Sequence, residues 1–357
     1  MEIALQLTQT PKEKPSDDIL GFGTYFTDHM FLMDYDVKNG WHNARIEPFH
    51  ALSLHPSSTA LHYGAEIFEG LKAYRRADGG VQLFRPMENV RRMNHSAARL
   101  CLPTMDEQDM LQALTKFVEV EQDWTPHSQG TSLYIRPFMF GNDENLGVHA
   151  VHRAMFVIIA SPSGSYYKEA INPVKIMIED KDVRAVRGGT GDTKCGGNYA
   201  ASTRAGQKAE DKGYSQVLWL DGVERKYIEE VGAMNVMFRI GDEIVTPALT
   251  GSILSGITRK SCIEILKDKG YRVSERLLSL EELENALKNG TLKEAWGCGT
   301  AAVVSPIGEL AYKDEVFTVS GGNIGEVTQM LYDTLTGIQW GTLEDKYHWV
   351  YPIAKKQ

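Results

Sequence analysis

Residues Arg184 to Ser202 read RAVRGGTGDTKCGGNYAAS. A single lysine, Lys194, lies between Gly188-Gly189-Thr190-Gly191 and Gly196-Gly197-Asn198. Glycines let a backbone pass close to a bulky ligand and take dihedral angles closed to other residues. A lysine held in such a place loses water, which lowers its amine pKa and makes it the nucleophile that carbonyl chemistry needs. The plain alternative is a surface loop with an ordinary lysine, and this segment alone leaves both open. Two look-alikes fail. GGTGDTKC resembles a phosphate-binding P-loop, but Thr193 precedes the lysine where glycine is required, and Cys195 follows it where a Ser or Thr would bind magnesium. Gly297 to Ala302 (GCGTAA) fits G-x-G-x-x-A, but Val303-Val304-Ser305-Pro306 follows, an extended and proline-broken run rather than the opening of a helix.

Three features further along complement the lysine. Tyr199 stands five residues beyond it, near the start of a helix, and offers a phenol. In Ile228-Glu229-Glu230-Val231-Gly232, a carboxylate set in an apolar strand needs a partner if buried. Glu230 is the residue expected inside and Glu229 the one expected in solvent. Gly251 to Lys260 (GSILSGITRK) places Ser255-Gly256-Ile257-Thr258 where a helix begins, so free N–H groups there could take a phosphate; simple capping by Ser255 is the competing reading. The Gly297–Ala301 turn adds backbone donors and the Thr300 hydroxyl. A nucleophilic lysine, a phenol, a buried acid and a phosphate cradle together meet the needs of pyridoxal phosphate, whose ring nitrogen requires an acid to stay protonated.

The rest of the chain reads as mixed α/β. Ile67 to Tyr74 and Val81 to Phe84 flank Ala77-Asp78-Gly79-Gly80 as a β-hairpin. Pro86 opens a helix with Val90, Met93, Ala97 and Leu100 on one face, and Met105 to Val120 gives a second. Thr131 to Met139 and Ala154 to Ala160 read as strands, Ala200 to Lys212 as a helix stopped by Gly213, and Gln216 to Leu220 as a strand. The expected organisation is a smaller N-terminal domain over 1–165, its first ~15–20 residues mobile, a linker over 166–180, and a larger cofactor-binding domain over 181–357. The 357 residues carry a net charge of −9, with 42% hydrophobic and 24% charged residues. That composition excludes a wholly disordered or fibrous chain, and an acidic chain without a basic block is a poor nucleic-acid binder. Its longest apolar run, Ala154 to Ala160, is far short of the ~20 residues a membrane helix needs, and the N-terminus has no signal-peptide pattern. The four cysteines are scattered and form no C-x-x-C pair, as expected of reduced thiols in a cytoplasmic protein. The ten histidines show no H-E-x-x-H spacing, and no metal site is expected.

With these residues in view, GGTGDTKCGGNYAAS, QVLWLDG, EEVGAMNVMF, GSILSGITR and WGCGTAAVVSP resemble the branched-chain amino acid aminotransferases of fold type IV. So do HYGAEIFEGLKAYRRADGGVQLFRPMENVRRMNHSAARLCLP and GTSLYIRPFMFGNDENLGV, so that the likeness runs from about Gly21 to Tyr351, in the longer branch of the family. The resemblance implies a two-domain α/β (α+β type) fold with pyridoxal phosphate at the domain interface. It also implies amino transfer from leucine, isoleucine or valine to 2-oxoglutarate by a ping-pong mechanism, in a homodimer. Carried onto this sequence, it makes Lys194 the residue that bonds the cofactor aldehyde and moves the proton at Cα. Tyr199 would bond the ring oxygen, Glu230 would face the ring nitrogen, and Arg92, with Arg91 as the competing choice, would bind the phosphate. Ile257, Thr258 and Thr300 would help bind it. Phe68, Tyr134 and Tyr166 would form an aliphatic pocket, with Tyr167 an alternative to the last. Arg136 would accommodate a glutamate side chain, and Thr300-Ala301 would bind the α-carboxylate. Tyr63, Leu146 and Val148 would come from the partner subunit. Two departures stand out: Ala302 and Ser305 replace the cysteines of the mammalian redox pair, and Ala233 stands where some members have threonine. A D-amino acid aminotransferase and an aminodeoxychorismate lyase are the alternatives within the fold type, and a nucleotide-binding module on the glycine loops is the alternative outside it. EGLKAY and SLYIRP argue against the first two, the failed P-loop and dinucleotide patterns against the third.

Overall fold

A computed structural model of the chain describes residues 1–164 and 171–355. The fold is mixed α/β and divides into two compact units. One comprises Met1–Tyr166, Thr193–Gly196 and Gly337–Gln357; the other comprises Tyr167–Asp192 and Gly197–Thr336.

The first unit is built on a nine-stranded sheet. Its order is Ala4–Leu5, Gly40–Pro48, His29–Asp36, Arg153–Ser163, Ser132–Gly141, Leu71–Arg75, Val81–Phe84 and Val350–Pro352, and Glu66–Phe68 pairs on the far half of Ser132–Gly141. The expected hairpin is present, with Ala73 opposite Leu83 and Tyr74 opposite Gln82. Its first strand, however, is broken at Glu69-Gly70 into two pieces that pair separately with Ser132–Gly141. Gly70 explains the close approach there, because any Cβ would collide with the Tyr134 hydroxyl. Helix Pro86–Arg99 starts with proline, whose missing N–H costs nothing at that position, and buries Val90, Met93 and Ala97. Helix Glu107–Glu121 is capped by Asp106, whose carboxylate accepts from the N–H groups of Gln108 and Asp109. Both helices join a core with Phe31, Ile135, Phe156 and Ile158.

The second unit also has nine strands, ordered Ile228–Val231, Gln216–Leu220, Val174–Glu179, Val303–Tyr312, Leu292–Gly299, Met234–Ile240, Glu243–Pro247 and Arg272–Arg276, with Glu315–Thr318 on Val303–Tyr312. Ile228–Val231 pairs with Met234–Ile240 as well, which closes the first six of these strands into a ring. Helix Gly196–Asp211 lays Ala205 and Ala209 against Met177, Val217 and Trp219. It ends at Gly213, whose φ of 80° is open only to glycine at little cost.

Three expectations about organisation change. The segment 166–180 is not simply a linker: Val174–Glu179 is an internal strand, paired in parallel on both sides. Its alternation explains why, since Ile176 and Ile178 enter the sheet core while Met177 faces the helix. The C-terminal residues do not belong to the second unit. Val350–Pro352 pairs antiparallel with Val81–Phe84, and Gln82 donates to the carbonyls of Ile338 and Gln339, so the N-terminal unit is not the smaller one. The N-terminus is also held in place: Ala4–Leu5 pairs with Arg45 and Ile46, and the terminal ammonium reaches Asp109 at 3.1 Å.

Candidate active site

In the first unit the excursion Thr193–Gly196 is pinned by its backbone. The Phe68 N–H donates to the Lys194 carbonyl at 2.9 Å, the Lys194 N–H donates to Ser96 Oγ at 3.0 Å, and the Gly196 N–H donates to Glu66 at 2.5 Å. Gly196 suits this contact, because a Cβ there would push the Glu66 carboxylate away from the N–H that it accepts from. The backbone is thus fixed while the Lys194 ammonium lies over the Phe68 ring, 4.7 Å from its centroid. The Arg136 guanidinium is also 4.7 Å from the Phe68 centroid, and it donates to the Tyr134 hydroxyl at 2.9 Å. Lys194, Phe68, Tyr134 and Arg136 are therefore brought together.

Arg92 is one charged contact further on. Its Nε and Nη2 donate to the two oxygens of Glu69 at 2.7 and 2.8 Å, and Asn89 donates to the same carboxylate at 2.8 Å. Burial pushes the Glu69 pKa up, but Arg92, Lys194 and Asn89 together outweigh it and hold the carboxyl below its ordinary value. Arg91, the competing arginine, is 58% exposed and pairs with Glu88 and Glu107 on the helix surface. Glu69, Glu66 and Lys72 are ionisable groups that the motif reading passed over. Glu66 is raised by burial, against the opposing pull of the Gly196 N–H and Arg136. Lys72 faces Tyr134 across the strand pair, and desolvation lowers it to about 8. The signal for all three was there, as charged residues inside an otherwise apolar strand pattern (EIFEGLKAY). Tyr63, Leu146 and Val148 form no part of this cluster. They are exposed, and the Tyr63 hydroxyl donates to the Leu146 carbonyl. Tyr166 and Tyr167 lie outside the described residues.

In the second unit Glu230 is buried and well partnered. One carboxylate oxygen accepts from the Leu254 N–H at 3.0 Å and from Asn235 at 3.2 Å, and the other lies 2.7 Å from Arg184 Nε. Arg184 is itself held by the carbonyls of Gly191 and Ser252 at 2.8 and 2.5 Å. Gly191 permits this, since a Cβ would meet the Ser252 backbone and Ala185. Glu229, expected in solvent, is buried as well. Its carboxylate accepts from the Ser252 hydroxyl, and burial raises its pKa despite that bond. All four residues of the strand Ile228–Val231 are buried, so both of its faces are covered and the side chains that alternate between them are buried alike.

Helix Ile257–Asp268 starts from Gly256, not Ser255, and no side chain caps it. Its first residues, Ile257, Thr258 and Arg259, are buried. Asn235 abuts Gly256, where a Cβ would collide with its amide oxygen, and Asn235 pairs in register with Cys298. Glu230, the helix start and the strand leading to Thr300-Ala301 are thereby tied through one asparagine. At the end of that turn Val303 has φ 61°, strained for a β-branched residue, and such strain concentrates at functional turns. Tyr199 lies in the first turn of helix Gly196–Asp211, half-buried, because the helix begins four residues earlier than the pattern suggests.

Comparison with known proteins gives this arrangement its family. The class IV amino-transferase family matches residues 66–310. Branched-chain-amino-acid aminotransferase 2 of Bacillus subtilis is 53% identical over 352 residues, covering 99% of this chain and 97% of its own. Branched-chain-amino-acid transaminase 1 of the same organism is 51% identical over 96% of both chains. Among solved structures, the Escherichia coli branched-chain amino acid aminotransferase superposes with a TM-score of 0.76 at 28% identity, over 92% of this chain and 99% of that one. The branched-chain amino acid aminotransferase of T.th. with pyridoxamine 5'-phosphate gives 0.77 at 26% identity, over 91% and 98%. The chain belongs to the class IV aminotransferases, in their branched-chain-amino-acid branch. It is an enzyme of the transaminase type, and among the described residues no helix is long and apolar enough to cross a membrane.

Proposed function

We propose that the protein transfers the amino group of L-leucine, L-isoleucine or L-valine to 2-oxoglutarate, with pyridoxal phosphate as cofactor. The observation that carries this reading is the Lys194 ammonium over the Phe68 ring beside Arg136 and Tyr134, an amine facing two aromatic side chains and a guanidinium. The residues fit the cofactor. Helix Ile257–Asp268 presents buried N–H groups with no capping side chain, suited to a phosphate. Glu230 is a buried carboxylate paired with Arg184 and the Leu254 N–H, suited to a protonated ring nitrogen.

When bound, pyridoxal phosphate supplies an aldehyde carbon and a ring that withdraws electrons from the substrate Cα. This chain's residues do the rest. Lys194 would hold the aldehyde end until the substrate amine takes its place, and the freed amine would then take the proton from the substrate Cα and deliver it to the carbon of that aldehyde. Glu230 would hold a proton on the ring nitrogen, Tyr199 would donate to the ring oxygen, and Arg92, Ile257, Thr258 and Thr300 would bind the phosphate. Phe68, Tyr134 and Tyr166 would exclude water round the aliphatic side chain. Thr300 and Ala301 would orient the α-carboxylate through their N–H groups, and Arg136 would pair with the distal carboxylate of glutamate. A single apolar pocket with one switchable cation accommodates both substrates only in turn, as a ping-pong order demands. Exposed Leu61, Tyr63, Leu146 and Val148 suit contact with a second copy of the chain, so a homodimer is the proposed assembly. The unpaired thiols suit the cytoplasm as its location.

The test is the absorption spectrum of the cofactor-loaded enzyme. L-leucine without any 2-oxo acid is expected to abolish the visible band of the lysine-bound cofactor, and 2-oxoglutarate to restore it. A band that ignores L-leucine but responds to D-alanine would transfer the assignment to a D-amino acid aminotransferase.

A further inference from the structure

Motif spacing alone gives this chain no metal site, but the fold makes a cluster that spacing does not reveal. The loop joining Ser132–Gly141 to Arg153–Ser163 brings Asp143, His149 and His152 together, with one ligand atom from each within 4.8 Å of the others. The Asp143 carboxylate is nearly buried and is oriented by the His152 N–H, which reaches its two oxygens at 3.1 and 3.2 Å. His152 Nδ1 stands 3.8 Å from the same carboxylate. The His149 and His152 rings are stacked, with centroids 5.0 Å apart and planes 12° from parallel. His149 Nδ1 lies 2.7 Å from the Ala150 carbonyl. A carbonyl can only accept, so Nδ1 is the donor there and Nε2 is the nitrogen left to ligate, the arrangement that orients a ligating histidine.

We propose that Asp143, His149 and His152 form a binding site for a divalent transition cation of the zinc type. Two imidazoles and one carboxylate suit zinc, cobalt or nickel rather than magnesium or calcium, which prefer all-oxygen shells. Ligand atoms on one zinc ion stand about 3.3 Å apart, so the three groups, within 4.8 Å of one another, have only to draw together slightly to close the site. Asp143 and His152 flank the two ends of the loop, and His149 lies within it. The bound ion therefore clips the segment that carries Leu146 and Val148, both exposed apolar residues. Its role is to order that segment, not to take part in amino transfer.

The test is calorimetric titration of the chelator-stripped, cofactor-loaded full-length enzyme with Zn2+ alone. One saturable ion per chain is expected. H149A and H152N should each weaken it by at least about tenfold, the smallest loss that even an outer-shell partner of a metal produces. C101S serves as the control for exposed thiols, because the Cys101 carbonyl accepts from the Val151 N–H and places that residue beside the loop. Binding unchanged in both histidine variants, binding lost in C101S alone, or no saturable binding would overturn the site. Amide exchange over residues 142–152 should slow on saturation with Zn2+ in the parent protein and not in H152N; unchanged exchange would overturn the ordering role.

Discussion

Near Lys194 the arginines are held by other side chains, whereas Arg184, the arginine beside Glu230, is also anchored on backbone carbonyls. Arg136 leans on Phe68 and bonds the Tyr134 hydroxyl, and Arg92 is gripped by Glu69, which is gripped in turn by Asn89. Arg184 instead ends on the carbonyls of Gly191 and Ser252, and Glu230 accepts from the Leu254 N–H. Side chains held by side chains can exchange partners when a substrate arrives. A charge set in a backbone lattice cannot move without moving the sheet. The first plan suits groups that must act; the second suits a charge that must stay where it is.

Substitutions can break that contrast or sharpen it. The largest effect is expected from Lys194→Ala. Turnover should fall by more than about 10^4-fold, the upper range of what positioned proton transfer contributes, while the thermal midpoint stays close to that of the parent protein. A large loss of stability would break the contrast, since it would make Lys194 structural. Glu230→Gln should cost on both counts. It leaves Arg184 buried without its counter-charge, worth about 3 kcal/mol in urea unfolding, and it should lower kcat by roughly 10^2-fold. Gly191→Ala should cost about 1–3 kcal/mol by overpacking against Ser252 and Ala185, with activity falling only as the folded fraction falls.

The smallest effect comes from Lys72, whose folded-state pKa of about 8 lies below its ordinary 10.5. Below pH 8 both folded and unfolded chains carry this charge, and the folded one bears its full desolvation cost. Between pH 8 and 10.5 the folded chain has released the proton that the unfolded chain keeps, so stability rises with pH in that window. Lys72→Met should therefore stabilise the protein at pH 7 by about 1 kcal/mol, allowing for the water that still reaches the side chain. That advantage should shrink towards pH 10, measured as the difference between the two unfolding midpoints. A constant difference would mean that Lys72 keeps its charge.

The sequence made the glycine-flanked lysine, the hairpin and most helices legible, because each depends on residues near one another in the chain. Proline at the first helical position and Gly213 after the last turn are local signals. What was not legible depended on distant partners. Glu229 and Glu230 differ by one position, and the alternation of a strand suggests that only one is buried; the fold covers both faces of Ile228–Val231 and buries both. Glu69 became visible as a partner of Arg92 only once a strand end met a helix 23 residues further on. The C-terminal segment carries no pattern that names Val81–Phe84 as its neighbour.

That last pairing bears on how the molecule is made. The second unit has all its residues once Thr336 has been synthesised, but the first lacks an edge strand until Val350–Pro352 emerges. The part of the chain made first is thus the part finished last. For the whole time that the second unit is being translated, Val81–Phe84 is an open sheet edge, apolar but for Gln82, the kind that recruits strands from neighbouring nascent chains.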